Sequence, residues 1–386
     1  MRTVLFTEPI FLFCFLPVLL ALYFAPSALQ GFRPRSLVHG EYGNWLLLAA
    51  SVIFYASGGG AFTWLMLGSI AFNYGMAIVV FRHRDSALGR TLLAFTVGAN
   101  LIVLGVFKYA NFFVDNLNGL LRVAGATPLA PPNVLLPIGI SFFTFHAISY
   151  VVDVYRKDAT AQKSPVHAAL YLLLFPQLIA GPIIRYRDIA DQLAARVVRR
   201  ADFAYGIRRF ALGLAKKVLI ANVVAGPADQ LFGLPAAELS PAHAWLGIVC
   251  YTLQIYFDFS GYSDMAVGLG RLFGFRFPEN FNYPYIASSV QDFWRRWHMS
   301  LSTWFRDYLY VPLGGNRVTP SAMYRNLVTV FFLCGLWHGA SWNFVIWGLF
   351  HGAFLVVERL GLAAAVKRLP APVRHAYLLV VAMVGW

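Results

Sequence analysis

The sequence from 326 to 357 reads NLVTVFFLCGLWHGASWNFVIWGLFHGAFLVV and contains no lysine, arginine or carboxylate. A helix needs about 20 predominantly apolar residues to cross a bilayer, so this stretch alone predicts a membrane protein. Comparable apolar runs recur along the chain: 10–25, 44–57, 61–81, 91–107, 134–154, 165–184, 242–273 and 375–386. We therefore predict an all-α, polytopic transmembrane helical protein.

The composition excludes soluble and disordered classes of protein. Of the 386 residues, 59% are hydrophobic and 12% are charged, whereas soluble globular domains carry about 25% charged residues. The mean hydropathy of +0.62 agrees with this contrast. Disordered chains are poor in aromatic residues, and here 16% of the residues are aromatic.

The net charge of +14 lies mainly between the apolar runs. Positive-inside loops and lipid head groups explain this placement better than nucleic acid does, so we predict membrane lipids as partners and no nucleic acid. The three cysteines, Cys14, Cys250 and Cys334, lie inside apolar runs without a CxxC pair. We expect neither a disulfide framework nor a metal site.

Charge also predicts how the chain is threaded through the membrane. The basic loops 27–43, 82–90 and 155–165 are expected to face the cytoplasm. If the next run, 165–184, crossed the bilayer, the basic stretch 185–217 would lie outside. Prolines and a glycine interrupt that run, and broken backbone at membrane depth is tolerated where protein or water covers it. We therefore predict a re-entrant hairpin over 165–184.

The stretch 291–317 is too charged to cross a membrane. Its large apolar residues recur at helical spacing: Trp294, Trp297, Leu301, Trp304 and Phe305. This pattern predicts a helix that lies at the membrane interface or is packed flat under the bundle. A surface anchor would use Arg295 and Arg296 to bind lipid phosphates. His298 argues against a simple anchor, which has no need of an imidazole.

A second histidine, His338, lies inside the most apolar stretch, within Gly335-Leu-Trp-His-Gly339. Ionisable residues at membrane depth are costly and mark a functional site by default, although a histidine hydrogen-bonded between helices is an equally simple interpretation. The flanking glycines allow a helix or a ligand to approach closely. His351 lies in a near copy, and in one continuous helix it would face away from His338. We interpret Cys334 as a packed cysteine rather than a nucleophile.

Two carboxylates, Asp258 and Asp264, also lie in an apolar and aromatic run. At membrane depth each is expected to be paired or to face water. The candidate partners are Arg271, Arg295 and Arg296. No P-loop, HExxH, GxSxG or dinucleotide-binding pattern occurs in the chain, which removes the common nucleotide and hydrolase classes.

Four segments together resemble the membrane-bound O-acyltransferase family. They are FPQLIAGP at 175–182, YFDFSGYSD at 256–264, DFWRRWHMSLS at 292–302 with RDYLYVPLGG at 306–315, and LWHGASWN at 336–343. They appear in family order, and they are most similar to the bacterial branch concerned with alginate O-acetylation. The motif core spans 175–343, within a single membrane domain expected over 1–386.

The resemblance implies a fold, a site and an activity. The fold would be a ring of tilted helices around a thinned centre, with re-entrant and interfacial helices. His338 would be the membrane-embedded catalytic residue, and His298 would be catalytic on the cytoplasmic side. Residues expected to support the site or bind substrate are Asp258, Arg295, Arg296, Trp297, Trp337 and Asn343.

The implied reaction moves an acetyl group from a cytoplasmic thioester donor, expected to be acetyl-CoA, across the bacterial inner membrane. A periplasmic acetyltransferase partner would receive it for O-acetylation of an exported polysaccharide such as alginate. No bound cofactor is expected. The family continues beyond the point at which this sequence ends, and the final run, 375–386, is shorter than a span. We therefore expect the last helix to be truncated.

Three alternatives stay open on the sequence alone. In the first, the donor is an acyl or aminoacyl carrier protein and the acceptor is another cell-envelope polymer. In the second, the chain is a transporter in which His338 and Asp258 relay protons. In the third, the chain is a scaffold that recruits periplasmic enzymes without catalysis. Because the sequence contains no strong candidate for a covalent nucleophile, we favour direct acyl transfer.

Overall fold

The computed structural model describes residues 6–29 and 37–386 of the chain. Part of the predicted basic loop 27–43, with Arg33 and Arg35, lies outside the described residues. The chain falls into two compact units, residues 1–210 with 266–277 and residues 211–265 with 278–386. The single membrane domain over 1–386 and the ring of helices stay predictions.

The regular structure is almost entirely helical among the described residues. The first part of the chain forms a π-helical turn (Phe11–Phe15), α1 (Leu16–Leu29), β1 (Leu37–His39), α2 (Glu41–Gly59), α3 (Phe62–His83), α4 (Ala87–Val123), α5 (Ile140–Arg156), α6 (Pro165–Leu173), α7 (Phe175–Leu178), α8 (Tyr186–Ala194) and β2 (Arg196–Val198). The strands pair antiparallel, with Val38 opposite Val197.

The second part continues with longer helices and short connecting turns. These are α9 (Arg200–Ala215), a π-helical turn (Lys216–Ala221), α10 (Asn222–Phe232), α11 (Pro241–Leu272), a 3₁₀ turn (Pro284–Ile286), α12 (Val290–Arg296), α13 (Met299–Phe305), a π-helical turn (Arg306–Tyr310), α14 (Pro320–His338), α15 (Trp342–Val357), a π-helical turn (Glu358–Leu362), α16 (Ala363–Lys367) and α17 (Ala371–Gly385).

Four helices in the described part of the chain are long and apolar enough to cross a membrane. They are Phe62–His83, Ala87–Val123, Arg200–Phe232 and Trp342–Lys367. Helices also occupy the other predicted apolar runs, although the helix predicted from residue 134 begins only at Ile140. The protein is therefore an all-α, polytopic membrane protein, as predicted.

Helix α5 forms the core of the first unit, because every residue from Phe143 to Val154 is buried. Buried polar groups need hydrogen-bond partners, and two side chains on α5 bond to the backbone of the segment after α7. His146 Nε2 accepts from the Ile184 N–H at 3.2 Å. Asp153 accepts from the Arg187 N–H at 3.0 Å. These bonds fix the path of the predicted re-entrant segment against α5.

The segment predicted to be re-entrant is broken at Leu174, where the backbone leaves the helical region (φ −54°, ψ 113°). The Phe175 N–H that this break releases donates to Ser51 Oγ at 3.1 Å. The pieces on either side, α6 and α7, are nine and four residues long. Both are too short to cross a bilayer of ordinary thickness, and the re-entrant hairpin stays a prediction.

One prediction is wrong at residues 200–232, where no membrane-spanning helix was expected. Helices α9 and α10 join through the π-helical turn into one run of 33 residues that can cross a membrane. Two of the five basic residues in this run are paired with carboxylates within the second unit. Lys216 Nζ lies 2.7 Å from Asp264 Oδ2, and Lys217 Nζ lies 2.9 Å from Asp258 Oδ2. Pairing across two helices lowers the cost of charge at membrane depth.

These pairs also correct the predicted partners of the two carboxylates. Asp258 and Asp264 bind lysines rather than Arg271, Arg295 or Arg296. Helices α9 and α11 approach closely enough for this because a Cβ on Gly213 would lie only 2.5 Å from the Gly261 carbonyl oxygen. Small residues allow such close helix contacts.

Two further helix boundaries differ from the prediction. Helix α4 does not end at residue 107 but continues to Val123 through the predicted loop, giving 37 residues, or about 55 Å. The predicted span 326–357 is instead a hairpin of α14 and α15, because the backbone turns extended at Gly339 (φ −164°, ψ 153°). A Cβ on Gly335 would collide with the Phe344 carbonyl oxygen, and one on Gly348 would collide with that of Phe331.

Candidate active site

The charged stretch after residue 290 folds as two short helices rather than one interfacial helix. The Glu358 carboxylate accepts from the N–H groups of Val290 and Gln291 at 2.7 and 3.0 Å, which caps the start of α12. Ser289 Oγ accepts a further bond from the Asp292 N–H at 3.1 Å. The large apolar residues of the stretch are buried: Trp294, Trp297, Leu301, Trp304 and Phe305. They pack inside the protein rather than into lipid, which removes the simple surface anchor.

His298 lies at the turn between α12 and α13, in the left-handed region of backbone space (φ 44°, ψ 53°). A residue other than glycine held there stores strain of about 1–3 kcal/mol, and such residues cluster at functional sites. The side chain is 1% exposed. Its ring meets the edge of Phe259 with ring centroids 4.6 Å apart. The turn therefore directs an imidazole into the protein interior.

The two nitrogens of His298 have different surroundings. Nδ1 lies 3.0 Å from Oδ1 of Asn280, whereas Nε2 is buried and has no hydrogen-bond partner among the described residues. Burial lowers the pKa of His298 well below its ordinary value, and the charge of His338 lowers it further. The ring is therefore neutral at pH 7, with one nitrogen unused.

His338 is the last residue of α14, where the extended Gly339 ends the helix. It is partly buried. Its ring packs against Trp337 and Trp347, with centroid distances of 5.0 and 4.8 Å. Trp337 in turn lies 6.2 Å from the ring of His298. The fold thus brings together two histidines that are far apart in sequence, with one tryptophan beside both.

The remaining predicted site residues divide into two groups. Trp297 and Trp337 are both buried, and the Trp337 ring contacts both histidines. Arg296 instead pairs with Asp292 at 3.1 Å, one turn away on α12. Asn343 is exposed in the first turn of α15, and Asp258 pairs with Lys217.

Arg295 belongs to a separate feature, a cavity of about 180 Å³ lined by α12, α13, α14 and α15. Arg295, Arg306 and Arg359 line it together with an apolar wall that includes Trp294 and Cys334. Cys334 precedes His338 by four residues, or about one helical turn. The cavity therefore combines a cationic part with an apolar part that lies next to the histidine-bearing end of α14.

Sequence reasoning missed Asn280, the residue that contacts His298 directly. It lies in the loop after α11, where its amide is buried and also bonds Ser263 and Ser300. The only available signal was an asparagine in a short segment between apolar runs, which is too common a feature to single out. In the described residues, no group of three His, Cys, Asp or Glu side chains could hold a metal ion.

Comparison with known proteins identifies the family of the chain. Residues 133–383 match the membrane-bound O-acyltransferase family (MBOAT). The chain is 47% identical over 383 residues to "Probable alginate O-acetylase AlgI" of Azotobacter vinelandii, a match that covers 99% of this chain and 74% of the relative. The corresponding protein of Pseudomonas aeruginosa is also 47% identical, over 99% of this chain and 71% of the relative.

More distant relatives carry other names. "Peptidoglycan O-acetyltransferase" of Helicobacter pylori is 40% identical over 92% of this chain and 70% of its own length. "Teichoic acid D-alanyltransferase" of Bacillus subtilis is 34% identical over 58% of this chain and 59% of its own length. The family match covers both histidine-bearing turns and their surroundings. The chain belongs to the membrane-bound O-acyltransferase family and is therefore a membrane O-acyltransferase.

Proposed function

We propose that this protein transfers an acetyl group from acetyl-CoA at the cytoplasmic face of the bacterial inner membrane. The acetyl group ends as an ester on an exported polysaccharide such as alginate. The observation that carries the proposal is the pair of neighbouring histidines, one of them neutral and buried with an unused nitrogen. The relatives named for alginate and peptidoglycan acetylation support both the acetyl group and a polysaccharide acceptor.

His338 is proposed to transfer the proton in the chemical step. The acceptor hydroxyl oxygen attacks the carbonyl carbon of the thioester while His338 takes the hydroxyl proton. The carbon–sulfur bond then breaks, and His338 returns the proton to the departing thiolate. The products are an acetyl ester and free CoA. Such proton transfer typically contributes 10²–10⁴-fold in rate, and fixing both reactants at one point adds a proximity contribution.

His298 is proposed to orient the donor. A neutral imidazole with its proton on Nδ1 can only accept a hydrogen bond at Nε2. The pantetheine arm of CoA has an amide N–H two carbons from the thioester sulfur. A bond from that N–H to Nε2 would hold the thioester near His338 and would give the unused nitrogen a partner.

The arginine-lined cavity supports a donor that carries phosphate. Guanidinium groups bind phosphate oxygens through short charge-assisted hydrogen bonds. Arg295 and Arg306 are exposed, and Arg359 donates to Asn316 Oδ1 at 3.1 Å. The apolar wall beside Cys334 suits the uncharged arm of the donor.

The additional helix over 200–232 supports a placement of the basic segments on one side of the membrane. If Arg200–Phe232 and α11 both cross the bilayer, the chain returns to the side from which it left. The basic residues before 200 and those of 291–317 then share one face, which the positive-inside rule assigns to the cytoplasm. A periplasmic acetyltransferase protein would collect the acetyl group on the opposite face, within the surrounding membrane lipids.

The first experiment measures binding of acetyl-CoA to the purified protein in lipid nanodiscs by calorimetry. Arg306→Gln is expected to weaken binding of acetyl-CoA about tenfold, because it removes one charge-assisted bond. Acetyl-pantetheine, which carries no phosphate, should bind both forms equally. Arg317→Gln is the matched control, since Arg317 is exposed and does not line the cavity.

Each alternative function predicts a different experimental result. A carrier-protein donor predicts no binding of acetyl-CoA, but binding of an acylated carrier protein. A transporter predicts solute flux into vesicles without thioester cleavage. A scaffold predicts that His338→Ala leaves acetylation in cells intact, although deletion of the whole protein abolishes it.

A further inference from the structure

Asn280 is tied to the turn that carries His298 by both its side chain and its backbone. Its Oδ1 lies 3.0 Å from His298 Nδ1, 3.2 Å from the Ser300 backbone nitrogen and 2.9 Å from Ser300 Oγ. Its Nδ2 donates to Ser263 Oγ on α11 at 2.9 Å. Its backbone carbonyl accepts from the Met299 N–H at 2.9 Å. The side chain is 1% exposed.

These contacts decide which way the amide faces and which tautomer His298 adopts. A backbone N–H can only donate, so the amide atom facing the Ser300 N–H must be the oxygen. That same oxygen faces His298 Nδ1, and an oxygen without a hydrogen can only accept. The proton of the neutral imidazole therefore lies on Nδ1, and Nε2 carries the lone pair.

We infer that Asn280 is a positioning residue that fixes the tautomer of His298, so that its Nε2 stays a permanent acceptor for the donor substrate. The identity of the ligand at Nε2 rests on the proposed function. The tautomer does not, because it follows from the hydrogen bonds. An amide accepts the Nδ1 proton without adding charge, whereas a carboxylate at this position would favour the imidazolium form.

Among the described residues, no carboxylate is found to act on the His298 ring. Helix α11 brings Phe259 against it and Ser263 against Asn280. Asp264, the next residue on α11, is paired with Lys216. From α14, His338 acts on the ring with a charge of the same sign. The neutral amide thus leaves His298 uncharged, as its burial also requires.

The test is Asn280→Asp, which keeps the shape and the oxygen acceptor but adds a charge. The carboxylate raises the pKa of His298, so the protonated ring, which has no lone pair at Nε2, persists to higher pH. Affinity for acetyl-CoA is therefore lost below a midpoint that lies higher than in the wild type. We expect the midpoint of the affinity-against-pH curve to rise by about one unit or more.

Asn282→Asp is the matched control, because Asn282 lies two residues away and is exposed. It adds the same charge to the same loop, and no shift of the midpoint is expected. A purely structural role for Asn280 would lower thermal stability in Asn280→Asp while leaving the midpoint where it is in the wild type. That result would overturn the inference.

A second readout does not depend on acetyl-CoA. Solid-state NMR of the protein with ¹⁵N-labelled histidine rings, compared with His298→Gln to identify the signal, reports which nitrogen carries the proton. We expect a protonated Nδ1 and a bare Nε2 in the wild type, and a mixture of tautomers in Asn280→Leu. A proton on Nε2 in the wild type would contradict the inference. Absence of acetyl-CoA binding with a protonated Nδ1 would instead reject the proposed function alone.

Discussion

Two near copies of one pentapeptide, GLWHG at 335–339 and GLFHG at 348–352, have different environments in the folded protein. His338 ends α14 and is partly buried beside the second histidine of the site. His351 lies in the middle of α15 and is 1% exposed. Trp347 packs against both rings, with centroid distances of 4.8 and 5.1 Å. The same local sequence thus places one histidine at a helix end, partly buried, and the other fully packed inside a helix.

The difference arises from where the helix stops. Gly339 turns the backbone out of the helix immediately after His338, whereas Gly352 continues α15 and packs against the Phe331 side chain. The rings around His351 belong to Trp294, Phe350 and Trp386. Among the described residues neither nitrogen of His351 has a hydrogen-bond partner. A histidine in an apolar segment is therefore a functional candidate only when the backbone opens the space beside it.

The largest expected effect is a loss of folding stability on substitution of the glycines that the two pentapeptides contribute to the hairpin. Gly335→Leu places a side chain against the Phe344 carbonyl oxygen, and overpacking at backbone should cost about 3 kcal/mol or more. Gly98→Leu is the control, because a Cβ at Gly98 meets nothing within 4 Å. Thermal unfolding in detergent, followed by tryptophan fluorescence, measures both. Equal unfolding temperatures would contradict the close packing of α14 on α15.

A smaller effect is expected at His351. His351→Ala opens a cavity and should cost about 2 kcal/mol. His351→Phe keeps a ring in the same contacts and removes a buried polar group without a partner, so it should be as stable as the wild type or more stable by about 1 kcal/mol. Unfolding midpoints of the two variants give the comparison. A loss of acetyl transfer in well-folded His351→Phe would place His351 in the chemistry and remove the contrast with His338.

The smallest effect is expected at the ion pair of Asp258 and Lys217, whose side chains are 43% and 26% exposed. Side-chain pairs between membrane helices give only about 1 kcal/mol of coupling in double-mutant cycles, because the unfolded chain in the membrane also finds partners for these groups. A double-mutant cycle with Asp258→Ala and Lys217→Ala measures this coupling directly. If Asp258→Asn instead abolished acetyl transfer at unchanged stability, Asp258 would act in a proton relay rather than in helix pairing.

Local patterns predicted the helical membrane class, the broken segment over 165–184 and both histidine-bearing motifs. They failed where the answer depends on residues distant in sequence. The helix 200–232 was missed because the carboxylates that pair with Lys216 and Lys217 lie 48 and 41 residues later, on α11. Asn280 was missed because its role arises only when its loop folds against the turn at His298. Ion pairs and hydrogen bonds of this kind join residues that are distant in sequence, so a short stretch of sequence cannot reveal them.

The central claim is that His338, and not its near copy, transfers the proton. The direct measurement is the O-acetyl content of exported polysaccharide in cells that express the wild type, His338→Ala or His351→Phe, with membrane levels matched by immunoblot. The account predicts that acetylation is lost with His338→Ala and kept with His351→Phe. Acetylation that persists with His338→Ala at equal protein level would contradict it.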